Sequence, residues 1–173
     1  MLCYKKIKVA LLFVFLMGCE FQPLYGTRGN SLITGEMKFI EVSPISDRMG
    51  QTLRNHLIQN FKPLDDLKNS KYVLNIQLSE NKQNLAIKKS EIATRANLII
   101  VANYQIISKS SGELLSQGSS QMITSYNILT HTFATLIAEK DARKRAVREI
   151  SADITNKIII FFRLNKKKIK DLK

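Results

Sequence analysis

From Arg48 onward, Leu53, Leu57, Ile58 and Phe61 recur at helical spacing and place one apolar stripe on a helix that Pro63 ends. Pro44 and Ser46-Asp47 supply a stop and an N-cap before it, and Arg48, Gln51 and Arg54 lie off the stripe. Ahead of that helix, Glu36 to Val42 reads as a first strand. Behind it the period changes to two. Tyr72, Leu74, Ile76 and Leu78 alternate with Val73, Asn75, Gln77 and Ser79, so one face of a strand is apolar and the other mostly polar. Glu80 to Asn84 interrupts this pattern as a turn or bulge, and Leu85 to Lys89 continues the sheet. Thr94 to Ile107 is a second long strand, with Ala96, Leu98, Ile100, Ala102, Tyr104 and Ile106 in one apolar row. Ile99 and Val101 make its opposite face apolar too, as if a partner covers it. Ser110-Ser111-Gly112 suits a hairpin turn, and Leu114 to Tyr126 returns as a strand rich in Ser, Gln and Gly. The last element is a long helix. Ala134, Ala138, Ala142, Ala146, Ile150, Ile154 and Ile158 repeat every four residues, and Val147 and Phe161 broaden the stripe. Arg143, Lys144, Arg145 and Arg148 cluster around its polar middle. The order predicts an α+β fold: a two-layer sandwich with a mainly antiparallel or mixed four-stranded sheet and two helices on one face.

The N-terminus follows a different pattern. Lys5, Lys6 and Lys8 precede an apolar run from Val9 to Met17, and Leu16-Met17-Gly18-Cys19 closes it. This reads as a bacterial lipoprotein export signal over residues 1–18, with Cys19 as the acylated residue. The run is shorter than the ~20 residues of a membrane span. An ordinary cleaved signal with an incidental cysteine is the alternative, and Met17 is bulkier than the residue usual at its place. Residues 19–35 then form a tether with Pro23, Gly26, Gly29 and Gly35, residues 36–163 one folded domain, and 164–173 a basic tail expected to be disordered. Cys3 leaves with the signal and Cys19 carries lipid, so no thiol remains for a disulfide, a metal or catalysis. Acyl chains at ~0.8 kcal/mol per buried methylene would hold such a chain at a membrane.

The full chain has net charge +13. Either many lysines are merely solvated, or the charge meets an anionic partner. Export makes nucleic acid an unsuitable partner and leaves anionic lipid or glycolipid. Catalysis lacks its residues. His56 and His131 sit in neither a Ser/His/Asp nor a metal-ligand spacing, and Asp65-Asp66 and Glu139-Asp141 do not form a glycosidase pair. No glycine-rich phosphate loop exists. The expectation is a non-enzyme without metal or cofactor, apart from covalent lipid on Cys19.

Cys19-Glu20-Phe21-Gln22-Pro23-Leu24-Tyr25-Gly26 resembles the Cys-Gly-Phe-x-Pro-Leu-Tyr start of the lipopolysaccharide-assembly lipoproteins LptE, in their alphaproteobacterial form. The resemblance continues through Asp47 to Asn55, Tyr72-Val73-Leu74, Thr94-Arg95, Tyr104, Ser125-Tyr126-Asn127 and Ala138 to Ala142. Glu20 replaces the family's frequent Gly, and the lysine-rich tail is additional. The resemblance implies an outer-membrane lipoprotein on the periplasmic side. It implies a complex with the β-barrel translocon LptD, help in assembling that barrel, and binding of lipopolysaccharide during its insertion. An auxiliary lipoprotein of an ABC-type lipid transporter is the alternative. Lys88, Lys89 and Arg95, beside strand ends, are the candidates for anionic glycolipid; ordinary exposed charge is their other reading.

Overall fold

The computed structural model describes residues 35–62, 69–87 and 93–165, with the backbone alone at 86–87 and 93–94. Strand β1 (Ile40–Val42) lies parallel to β2 (Tyr72–Ile87), while β2, β3 (Ala93–Ser108) and β4 (Leu114–Asn127) form an antiparallel meander. The sheet order is β1-β2-β3-β4. A parallel pair needs a crossover, and helix α1 (Asp47–Phe61) supplies it. Helix α2 (Thr132–Leu164) follows β4. At 1.5 Å per residue its 33 residues span about 50 Å.

The even positions of β3 are all buried, from Ala96 to Ile106. They face α2, whose Ala142, Ala146, Ile150, Ile154 and Ile158 are each at most 1% exposed. Alanines in the first half of that stripe let the helix approach β4, where Thr124 Oγ1 donates to the Ala142 carbonyl at 3.3 Å. Helix α1 packs beside it, with Leu53, Leu57 and Phe61 buried. Arg54 Nε donates to the Val42 carbonyl at 3.1 Å, and Asn60 Nδ2 to Thr155 Oγ1 at 3.0 Å, so α1 is tied to both β1 and α2. Tyr72 and Phe162 close the far end of the core edge-to-face, with ring centroids 5.1 Å apart. Two helices on one face of a mixed four-stranded sheet is the architecture the sequence patterning predicts.

Five local expectations change. The first strand is three residues long, because residues 35–37 form a helical turn that buries Met37. The expected interruption at Glu80 to Asn84 does not occur: β2 is continuous and pairs with β3 throughout. Its polar residues Glu80 and Lys82 lie on the helix-facing side, opposite Ile100 and Leu98, at an exposed edge where they meet charged side chains of α2. Ala134 and Ala138 are only half-buried, because burial on α2 begins at Ala142. The stripe ends on Phe162 rather than Phe161, one four-residue step after Ile158. Ser46 occupies the N-cap of α1 without a side-chain cap bond.

Two glycines are required by close approach. A Cβ on Gly50 would lie 2.5 Å from Ile45 Cγ2 and 3.2 Å from the Ile45 carbonyl carbon, so α1 starts in contact with the loop before it. A Cβ on Gly118 would lie 2.7 Å from the Tyr104 phenol oxygen, and the aromatic ring fills that place on the sheet.

Among the described residues no helix packs on the other sheet face. Asn75, Gln77, Ser79, Asn81 and Gln83 of β2 share it with Asn97, Ile99, Val101, Asn103 and Gln105 of β3, and with Gln117, Ser119, Gln121, Ile123 and Ser125 of β4. None of these positions is charged, in a chain of which 24% is charged. The face is therefore amide-rich and weakly apolar, with charges at its two ends in Arg95 and in the Lys109–Glu41 pair.

Candidate functional site

Gly50 seats the start of α1 on Ile45, and α2 passes beside that start. Between them lies a groove of about 500 Å³ with Met49 and Val147 as apolar floor and Arg48, Lys140, Arg143 and Lys144 around it. Asp47 and Thr52 complete the lining. Lys140, Lys144 and Val147 share one side of α2 by their spacing of four and three, so α2 supplies half of the eight lining residues and α1 the other half. The N-terminus of α1 adds the positive end of a helix dipole.

The four cations are not equivalent. Arg143 Nε and Nη2 donate to the two Glu80 carboxylate oxygens, both at 2.7 Å, and Nη2 also reaches Glu139 Oε1 at 2.7 Å. Glu139 further pairs with Lys82 and accepts from the Tyr126 hydroxyl at 3.2 Å. Arg143 is thus a structural strut that binds α2 to β2, and the two carboxylates hold it charged. Arg48, Lys140 and Lys144 have no anionic partner among the described residues. They are the charge available to a ligand.

The strut has a pH signature. Burial pushes the Glu139 carboxyl up, but hydrogen bonds and charge from Lys82 and Arg143 outweigh it and hold the carboxyl below its usual range. A carboxyl held low in the fold stabilises it above the unfolded value, about 4.3, and loses that contribution as pH falls through the folded value. Lys82 is 48% exposed and screened by solvent, so the Arg143 bond carries most of the effect. Glu139→Gln is expected to lower stability by about 1–2 kcal/mol at neutral pH. In urea titrations this gap should close below about pH 4; a gap that stays constant with pH would contradict the assignment.

The candidates named from sequence fall elsewhere. Lys88, Lys89 and Cys19 lie outside the described residues. Arg95 is exposed on the helix-free face at one end of the sheet, opposite Leu85 and Asn127, and is not brought into the groove. Arg145 and Arg148 are exposed along α2, where Arg148 makes only a 3.7 Å pair with Glu149. His131 stands at the N-cap of α2 without capping it, and Glu139 is absorbed in the strut. Sequence reasoning missed Arg48 and Lys140. The one available signal was the Lys140/Lys144 spacing beside an apolar Val147.

A roofed four-stranded sheet with a basic, apolar-floored groove defines a small α+β domain. Among the described residues no group of His, Cys, Asp and Glu is placed to hold a metal, and no helix is long and apolar enough to cross a membrane. The chain belongs to the lipopolysaccharide-assembly family LptE, whose family model matches residues 37–160. A search of curated proteins finds no match to the sequence. Three solved structures share the fold. A chain described as a lipoprotein of Caulobacter crescentus aligns with TM-score 0.62 and 18% identity, over 77% of this chain and 97% of that one. A minor lipoprotein from Acinetobacter baumannii aligns with TM-score 0.53 and 18% identity, over 70% and 88%. The rare lipoprotein B of Shewanella oneidensis aligns with TM-score 0.50 and 15% identity, over 76% and 98%.

Proposed function

We propose that this protein is lipid-anchored through Cys19 on the periplasmic side of the outer membrane, forms a complex with an LptD-like β-barrel, and binds lipopolysaccharide in the groove between α1 and α2. Membership of a lipopolysaccharide-assembly family supports the pathway. The observation that carries the binding role is the groove itself: Arg48, Lys140 and Lys144 converge over Met49 and Val147 with no anionic partner among the described residues. A phosphate-bearing amphiphile matches that combination, since its phosphates take charge-assisted hydrogen bonds and its adjoining apolar part meets the floor. The uncharged, amide-rich sheet face supports the barrel partner, because the interior of an outer-membrane barrel is polar. In this reading the protein makes no bond and breaks none. It positions a glycolipid and fills a lumen.

The test is affinity capture of the tagged full chain from membranes. The expected result is recovery of a large outer-membrane barrel, and recovery of an inner-membrane permease in its place would overturn the assignment. Cys19→Ala should abolish acyl labelling and leave an unprocessed precursor; normal labelling of that variant would remove the anchor from the account.

A further inference from the structure

Four large apolar side chains stand exposed together where β4 gives way to α2. Leu129 is 48% exposed, Phe133 75%, Leu136 57% and Ile137 43%. On a helix of 3.6 residues per turn, Phe133, Leu136, Ile137, Lys140 and Lys144 fall on one stripe about 100° wide. That stripe is opposite the buried side of Ala142 and Ala146, and it stays in solvent until α1 covers it at Val147. It is therefore apolar at its tip and basic one turn further on. Arg95 stands at the same end of the sheet, since β3 begins there and pairs with the last residue of β4. At the other end of α2, Leu164 is 78% exposed and Ile160, one turn before it, 44%, so that end carries two exposed apolar side chains against four here.

An apolar tip ringed by cations has the pattern of helices that lie in a membrane interface, with the apolar side chains in the acyl boundary and the cations at the phosphates. The polar lumen of a barrel offers these four side chains nothing comparable. We propose that this end of the molecule, Leu129 and the first two turns of α2, docks into the interface of an anionic lipid leaflet, with Lys140, Lys144 and Arg95 on the lipid phosphates. The contact is separate from any acyl anchor, and it fixes which end of the domain meets the bilayer.

The chain contains no tryptophan, so Phe133→Trp introduces a single probe at an exposed site without disturbing the core. The full-length variant is reconstituted into vesicles of phosphatidylcholine, with and without phosphatidylglycerol, carrying bromine-labelled acyl chains. The indole is expected to shift its emission to the blue and to be quenched severalfold more in the vesicles that contain phosphatidylglycerol. At about 1 kcal/mol per cation near an anionic surface, adding Lys140→Glu and Lys144→Glu should weaken that association by at least tenfold. A Leu164→Trp probe should remain unquenched in both vesicles. Absence of bromine quenching at position 133 would overturn the proposal, and a blue shift without quenching would do so in favour of a protein cover. Equal quenching in both vesicles would refute the anionic leaflet, and equal quenching at 133 and 164 would refute the docked end. Identical circular dichroism of the variants keeps each result interpretable.

Discussion

Ile154→Ala is expected to lower the unfolding free energy by about 3 kcal/mol, while Ile160→Ala, six residues on in the same helix, changes it by less than about 0.5 kcal/mol. Both changes delete the same atoms. Ile154 is fully buried between α2 and the sheet, where neighbours relax only partly into the cavity left behind, whereas Ile160 is 44% exposed. At the exposed site the loss of apolar contact is further offset by the better helix propensity of alanine, worth a few tenths of a kcal/mol. Against a typical domain stability of about 5–15 kcal/mol, the buried change removes a large share. Urea unfolding of the pair checks it, and equal losses would mean that α2 does not roof the sheet along the stripe described. The contrast matters for function because α2 also forms one wall of the groove.

The second large effect concerns binding. Replacing Arg48, Lys140 and Lys144 together by Glu is expected to weaken lipopolysaccharide binding roughly a hundredfold. Each cation near a phosphate contributes about 1 kcal/mol, and the three act on one ligand. Stability should change little, because none of the three has an anionic partner among the described residues. Arg143→Glu would behave differently: it would break the Glu80 and Glu139 bonds and place a third carboxylate beside them, so it reports on folding rather than on the ligand. Arg95→Glu, on the opposite sheet face, should leave the affinity for soluble lipopolysaccharide within about twofold. Isothermal titration with the full chain separates these cases.

Much of the fold could be read from periodicity. The period-two row of β3 and the four-residue step of α2 are dictated by which side chains must leave water, and the structure buries the first from Ala96 to Ile106 and the second from Ala142 onward. Where the period fails, a tertiary partner has taken over. Glu80 and Lys82 break the apolar row of β2 because Glu139 and Arg143 of a distant helix meet them, and nothing local in the sequence announces such a pairing. The groove was hidden for the same reason. Arg48 belongs to one helix and Lys140 and Lys144 to another, and only the packing of α1 against α2 makes them neighbours. Charge density pointed to an anionic partner, but it could not tell Arg143, used as a strut, from Lys144, left free one residue later.

The groove account makes phosphate the feature that is recognised, so the most direct measurement compares the affinity of the unmodified full chain for lipopolysaccharide before and after enzymatic removal of the lipid A phosphates. The account predicts that dephosphorylation weakens binding by at least tenfold and that the Arg48, Lys140 and Lys144 triple variant no longer distinguishes the two ligands. Equal affinity of the unmodified protein for both forms would contradict it.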